Sequence, residues 1–576
     1  ETVMRKGLVP TLMMAGLVLA ACGGGGGDTP APAPALVGGT PPPPPPPASV
    51  AATVLETKVE TSDFLRRAGL GPTEARIDAL TGKDATDWVS TQIALPPHGF
   101  KADLSARLSD EDARFPQVSQ QFYETLIGTE AELRARMTFA LSQIFVIHGD
   151  TVFDEGPALA GWLDILDRNA FGNYRDLMGE VTRSPIMGSY LTYLYNRKGD
   201  PERGRAPDEN YARELLQLFT IGLVELEMDG TARLGADGKP VDTYTNDDIV
   251  GLARVFTGYT LAGSSHRWRD RYDDTWERPM TMYEPDHSPL EKAFLGSAIA
   301  AGTQGEASVD RALDIIFDHP NVAPFVSRQL IQRFTASDPR PAYVGRVAQA
   351  FETGSFKTGD VSFGTGRRGD LSATLAAILL DPSLHDGKAD LREGKVREPV
   401  LNYVQFARTF AGANPSLVEA GWNRHADTSD VTNQLSQSPL RSPSVFNFFR
   451  PGYVAPGTET GARDLSAPEL QIVNSASSVG YMNFMYDAIS REDGDYRIIP
   501  DYRRELDLAD DPNALLDRID LLLTGGTMSP DTRTAISEAM EALPLRSGDN
   551  AARDRLSRVR MAMVMTVVSP EYMTTN

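Results

Sequence analysis

The chain has 576 residues, 41% hydrophobic and 23% charged, with a formal net charge of −22 and one cysteine. At roughly 100–200 residues per domain this predicts two to four domains, and the apolar fraction excludes a wholly disordered or fibrous protein. The acidic balance disfavours nucleic acid as a partner, and a lone cysteine excludes disulfides, zinc–thiolate clusters and redox pairs.

In chain order, the first element is an address. Arg5 and Lys6 precede an apolar run from Leu8 to Ala20, the pattern of a secretory signal too short for a stable membrane span. Leu19-Ala20-Ala21-Cys22 resembles a bacterial lipobox, which implies cleavage before Cys22 and its lipidation. Gly23 in place of Asp points, in lipoproteins of this kind, to the outer membrane of a bacterial cell envelope. Residues 22–53 then read as a tether: Gly23 to Gly27 is flexible, and the seven prolines from Pro41 to Pro47 form a spacer of about 22 Å in polyproline II.

The remainder reads as a mainly α, multi-helix body with one small β-hairpin or meander, divided near residues 200 and 395 into regions 54–200, 201–395 and 396–576. Ser62 is placed to cap a first helix that stops at Gly69-Leu70-Gly71-Pro72, and Ala131 to Ile147 reads as a buried helix. Gly161 to Arg168 and Tyr174 to Val181 are amphipathic. Asp229-Gly230 and Asp237-Gly238 mark two tight turns in a meander from Val224 to Asp242. Thr245 and Asp248 are spaced as a capping box. Asn321 reads as the cap of a helix from Val322 to Phe334, and Gly354 to Gly369 as loop. Leu371 to Leu380 and Asn513 to Leu523 continue the helical pattern.

Several segments together are similar to a known family. They are Phe64-Leu-Arg-Arg-Ala-Gly-Leu-Gly-Pro-Thr73, Asn169-Ala-Phe-Gly-Asn-Tyr-Arg-Asp-Leu177, Pro207 to Gly222, Thr245 to Gly258 and His319 to Arg333. Arg397-Glu-Pro399, Ser442 to Gly452 and Ser569-Pro-Glu-Tyr572 complete the set. In this order they resemble the exported bacterial family catalogued as domain of unknown function 1800, over about residue 60 to the C-terminus. The resemblance implies an exported, largely helical protein without an assigned activity. It also implies a partner: a sulfatase- or phosphatase-like exported enzyme of the family domain of unknown function 1501. Many members carry His where this chain has Phe219, and a Trp-His-Asn-His stretch where it has Leu141-Ser142-Gln143-Ile144. A metal role for those histidines therefore does not transfer.

Chemistry-bearing residues concentrate in two places. At 100° per residue, Glu209, Asn210, Arg213, Glu214 and Gln217 fall in one polar arc of about 140°. Two carboxylates, a guanidinium and two amides there suit a cation or a polar substrate; they equally suit a surface ion-pair face or a buried Arg–Glu strut. His287 lies in a Pro-rich loop beside Asp286, with Lys292 following, where an imidazole suits general-base or ligand work; packing on Trp276 or Trp268 is the plainer alternative. If His287 shared a site with Glu209 and Glu214, its pKa would rise above the ordinary value. Arg328, Gln329, Gln332 and Arg333 on one helix suit an anion or the chain's surplus carboxylates. No Gly-x-Ser-x-Gly elbow, His-Glu-x-x-His, Walker loop or EF-hand loop is present.

Two functions follow as expectations: a lipid-anchored binding or assembly component acting with an exported partner enzyme, or a hydrolase-like or metal-assisted enzyme using Glu209, Arg213, Glu214 and His287 with Asn210, Gln217 and Asp286 around them. A third, an envelope-polysaccharide adaptor, fits the tether, but the sequence marks no aromatic platform for it. Cofactor and metal content stay open.

Overall fold

The computed structural model describes residues 51, 53–109, 113–152, 154–263, 274–384, 394–410, 427–491 and 498–575. The signal, Cys22, Trp268 and the tether up to residue 50 lie outside the described residues. The body is mainly α. Among the described residues helices follow one another from Lys58 to Met573, and the strands pair only in short two-stranded antiparallel sheets. No helix among the described residues is long and apolar enough to cross a membrane.

Caps set the helix ends where the chain supplies them. The first helix, Lys58–Ala68, starts earlier than Ser62: Thr57 and Glu60 form the capping box. Ser62 lies inside the helix, buried, and donates to the Leu521 carbonyl at 2.5 Å. The buried segment near residue 140 is the helix Glu132–Ser142, all eleven residues of which are buried. Gly156–Arg168, Tyr174–Arg183, Val322–Phe334 and Leu371–Leu379 match the periodicity of their sequences.

Two expectations about β-structure change. The meander exists, yet isolated bridges hold it in place of regular strands: Arg233 N donates to Glu225 O at 2.8 Å, and Val241 N to Arg233 O at 3.0 Å. Gly354 to Gly369 is no plain loop, because it contains the hairpin Phe356–Thr358 with Val361–Phe363. Further short pairs join Lys292–Phe294 with Ser297–Ile299, Tyr259–Thr260 with Thr281–Met282, and Lys395–Val396 with Thr574–Thr575.

Asn321 occupies the N-cap position of its helix, as expected, but its side chain makes no capping hydrogen bond. Its side-chain amide donates to the carbonyls of Ile221 (2.9 Å) and Val224 (2.7 Å), and its oxygen accepts from Leu226 N at 2.9 Å. One Asn thereby anchors the meander on the helix start. His319 Nδ1 instead accepts from Asn321 N, at 3.2 Å.

One apolar core runs from Leu55 to Tyr572. Pro46–Asn576 is accordingly a single compact unit, in which the regions on either side of residues 200 and 395 share packing.

Candidate functional site

The segment carrying the polar arc begins as the α-helix Asn210–Glu214 and widens into a π-helix over Leu215–Thr220. The Thr220 hydroxyl supports the wider turn by donating to the Leu215 carbonyl at 2.5 Å. The arc assumed a uniform α-period, which the wider turn interrupts before Gln217, a half-buried residue of the π-helix. Glu209 and Arg213 pair at 3.4 Å on a half-exposed surface, the Arg213 side chain being 41% exposed. Glu214 turns inward. Burial pushes its carboxyl above the usual range despite Arg213, and its Oε2 has no hydrogen-bond partner among the described residues. It lies close enough to Tyr190 to help burial push that phenol up to about 12. Asn210 Nδ2 reaches Thr192 Oγ1 at 3.4 Å.

His287 occupies a different environment. It is 4% exposed, its Nδ1 lies 2.8 Å from the Thr257 carbonyl, and its Nε2 is buried without a partner among the described residues. The adjoining Ser288 N donates to Thr257 Oγ1 at 2.9 Å. Lys292, fully buried, donates to Leu290 O at 3.3 Å. Burial drives the imidazole below its ordinary value; Lys292 adds to that, while the Thr257 carbonyl and Glu284 oppose it. This reverses the expected upward shift. The charges that act on His287 are Lys292 and Glu284, neither of them on the Glu209–Glu214 segment. Asp286 turns away to pair with Arg197 at 3.2 Å. Trp276 packs against the core and lines a groove to which His287 does not contribute.

The backbones are nevertheless joined. Asn196 binds both ends: its Oδ1 accepts from Asp208 N at 2.9 Å, and its carbonyl accepts from Gly258 N at 2.8 Å. Tyr211 stacks on Tyr193 at 4.1 Å and meets Phe256 edge-on at 4.7 Å. The helix Asn246–Ala253 lies against the Lys292–Phe294 strand so closely that a Cβ on Gly251 would fall 1.8 Å from the Ala293 carbonyl oxygen. The three predicted segments therefore pack together, whereas their ionisable side chains face different surroundings.

A second cluster, deeper and more highly charged, was not assigned from sequence. Lys395 pairs with Glu469, donates to the Gln332 carbonyl at 2.8 Å and lies 3.9 Å from Glu398 Oε1. Glu398 Oε2 accepts from Gln143 and from Gln437, the latter at 2.7 Å. Glu469 Oε2 accepts from Ser337 at 2.9 Å. Above them Arg136 donates to the Arg333 carbonyl at 2.6 Å, and Arg333 to the Gln143 carbonyl at 3.4 Å. Burial pulls both guanidiniums down to about 10, opposed by Glu398 and Glu469. All of these side chains are less than a tenth exposed. Such a network is costly unless its partners are in place, so it fixes the relative positions of the elements that supply them. Arg333 feels Glu398 and Glu469 electrostatically but gives its hydrogen bonds to the carbonyls of Gln329 and Gln143, and the residue of that helix that pairs with a carboxylate is Arg328, 3.7 Å from Asp338. Glu398 sits in the Arg397-Glu-Pro399 motif, yet its sequence neighbours do not disclose these partners.

Gln143 is thus part of this cluster, and Phe219 lies beside Tyr174, which acts electrostatically on Arg333. Phe219 packs on Phe145 at 5.1 Å, its carbonyl accepts from Tyr174 at 2.6 Å, and Gln329 donates to the neighbouring Leu218 carbonyl at 3.1 Å. Among the described residues no group of three or more His, Cys, Asp or Glu side chains is placed to hold a metal ion.

These features define a mainly helical protein whose distant segments are tied together by buried charge and a continuous apolar core. The chain belongs to the family described as protein of unknown function (DUF1800), whose model matches residues 63–574. No curated protein and no solved structure matches it.

Proposed function

We propose that the chain is a lipid-anchored binding or assembly component of the bacterial cell envelope, held at the outer membrane through Cys22 and acting with an exported sulfatase- or phosphatase-like enzyme. The observation that carries this reading is one uncharged surface. In the helix Ser475–Ser490, Val479, Met482 and Tyr486 are 51%, 45% and 59% exposed, and no charged residue occurs from Ser475 to Tyr486. Val473, just before the helix, extends the stripe. On a chain with a net charge of −22, an exposed apolar stripe ending in a tyrosine suits a protein partner's surface. The burial of His287 and Glu214, each in its own surroundings, also fits binding better than joint catalysis.

Cell fractionation with a co-expressed exported enzyme of the domain of unknown function 1501 family tests it. The expected result is that both proteins pellet with the outer membrane. The pair Met482→Asp and Tyr486→Asp should release the enzyme alone, and Cys22→Ala should release both. An enzyme that stays bound to the doubly substituted chain, or a Cys22→Ala chain that stays in the pellet, overturns the corresponding half of the proposal.

A further inference from the structure

A groove of about 470 Å³ opens between the helices Gly156–Arg168 and Tyr174–Arg183 and the segment from Trp276 to Pro279. Its size falls within the range of small-ligand sites, roughly 300–1,000 Å³. Two glycines open its floor. A Cβ on Gly161 would meet nothing within 4 Å, and one on Gly179 would sit 3.4 Å and 3.5 Å from the nearest guanidinium nitrogens of Arg175 and Arg183. Half-buried Trp276 forms one wall.

The charges along this groove are engaged with one another. Lys101 pairs with Glu277, and Arg168 with Glu180, which also accepts from Asn169 at 3.0 Å. Behind the floor, Arg175 pairs with Asp314 at 2.8 Å, and Arg183 with Glu306 at 2.9 Å and Asp310 at 2.8 Å. Asp164 accepts from the backbone amides of Phe100 at 2.5 Å and Lys101 at 3.1 Å. Cations already paired with carboxylates attract an anionic ligand less, and paired carboxylates attract a cation less. What such pairs do offer is N–H donors and carboxylate lone pairs side by side along the rim. A polyhydroxyl ligand uses both, and the apolar C–H face of a sugar ring suits an indole wall.

We propose that this groove is a binding site for a neutral oligosaccharide, with Trp276 as its stacking platform and the paired side chains on the two helices as its hydroxyl-binding rim. The site is separate from the uncharged face of Ser475–Ser490, so it stands or falls independently of the proposed partnership.

Isothermal titration calorimetry of the full chain with cellohexaose, maltohexaose and chitohexaose tests it. At least one of these uncharged hexasaccharides should bind at millimolar concentration or below. Trp276→Ala should weaken that binding about tenfold or more through loss of the stacking wall. Gly161→Leu provides an independent check: it replaces a glycine within a helix by a better helix former and fills the open floor, so it should abolish binding in a chain that remains folded. Met482→Asp should leave sugar binding unchanged. Failure of all three sugars to bind overturns the proposal. So does undiminished affinity in Gly161→Leu, tighter binding of a sulfated hexasaccharide than of the neutral ones, or binding of an uncharged Leu/Ala peptide in their place.

Discussion

Arg213 and Lys395 each face a glutamate, and their surroundings give the two contacts opposite weights. Arg213 and Glu209 are both more than a third exposed, so water screens the pair and competes for it. Such pairs contribute about 0–1 kcal/mol. Lys395, Glu398 and Glu469 are almost wholly removed from water. Removing one member of a buried set strands the others, at a cost of about 3–5 kcal/mol. Lys395→Met should therefore lower the midpoint of chemical unfolding far more than Arg213→Ala does. Adding Glu469→Gln to Lys395→Met should recover part of the loss, because one stranded carboxylate is then neutral. Equal midpoints for Lys395→Met and Arg213→Ala would show that the interior pair contributes no more to stability than the exposed one. The sequence offered no way to rank the two. Arg213 has its partner four residues away, where a helical period displays it. Lys395 meets Glu469 across 74 residues, and only the fold brings them together.

Elements were legible in proportion to how locally their ends are determined. Thr245 and Asp248 form a capping box with Asp248 Oδ2 2.7 Å from Thr245 N, as their three-residue spacing requires. The π-turn over Leu215–Thr220 left no such mark, because a widened turn is set by the packing of Phe219 and its neighbours rather than by a cap or a breaker. The caps also carry more than the sequence declares. Asp248 Oδ1 accepts from Leu295 N at 2.7 Å, at a residue whose φ of 48° is left-handed, so a helix cap also holds the turn of the Lys292–Ile299 hairpin. Asp248→Ala should then cost about 1–2 kcal/mol, more than a simple cap loss at its lower end. It should also speed amide exchange at Leu295. Asp248→Asn, which keeps an acceptor oxygen, should restore most of the protection. Unchanged exchange at Leu295 in Asp248→Ala would confine the side chain to capping.

At the scale of the molecule, the two ends of the described body close on each other. Arg66, in the first helix, is buried and donates to the carbonyls of Thr524 at 2.5 Å and of Glu571 and Thr574 at 3.0 Å each. Burial, with the Arg397 guanidinium nearby, lowers its pKa to about 9 against the opposing pull of Asp63, so the three carbonyls are the acceptors that hold a guanidinium largely removed from water. Thr574–Thr575 pairs with Lys395–Val396, Arg397 N donates to Met573 O at 2.8 Å, and buried Tyr572 donates to Asn402 O at 2.5 Å. Removing residues 570–576 would thus deprive Arg66 of two of its three acceptors and uncover the strand that begins the Lys395 network. A fold of three independent regions would absorb that loss locally, leaving the first helix as protected as before. One continuous core transmits it. The truncated chain should melt in a single transition at lower temperature, and amides of Lys58–Ala68 should exchange faster although they lie some five hundred residues from the cut. Differential scanning calorimetry with hydrogen exchange on both chains decides between these outcomes, and a first helix with unaltered exchange would mean that Arg66 is held by its contact to Thr524 alone.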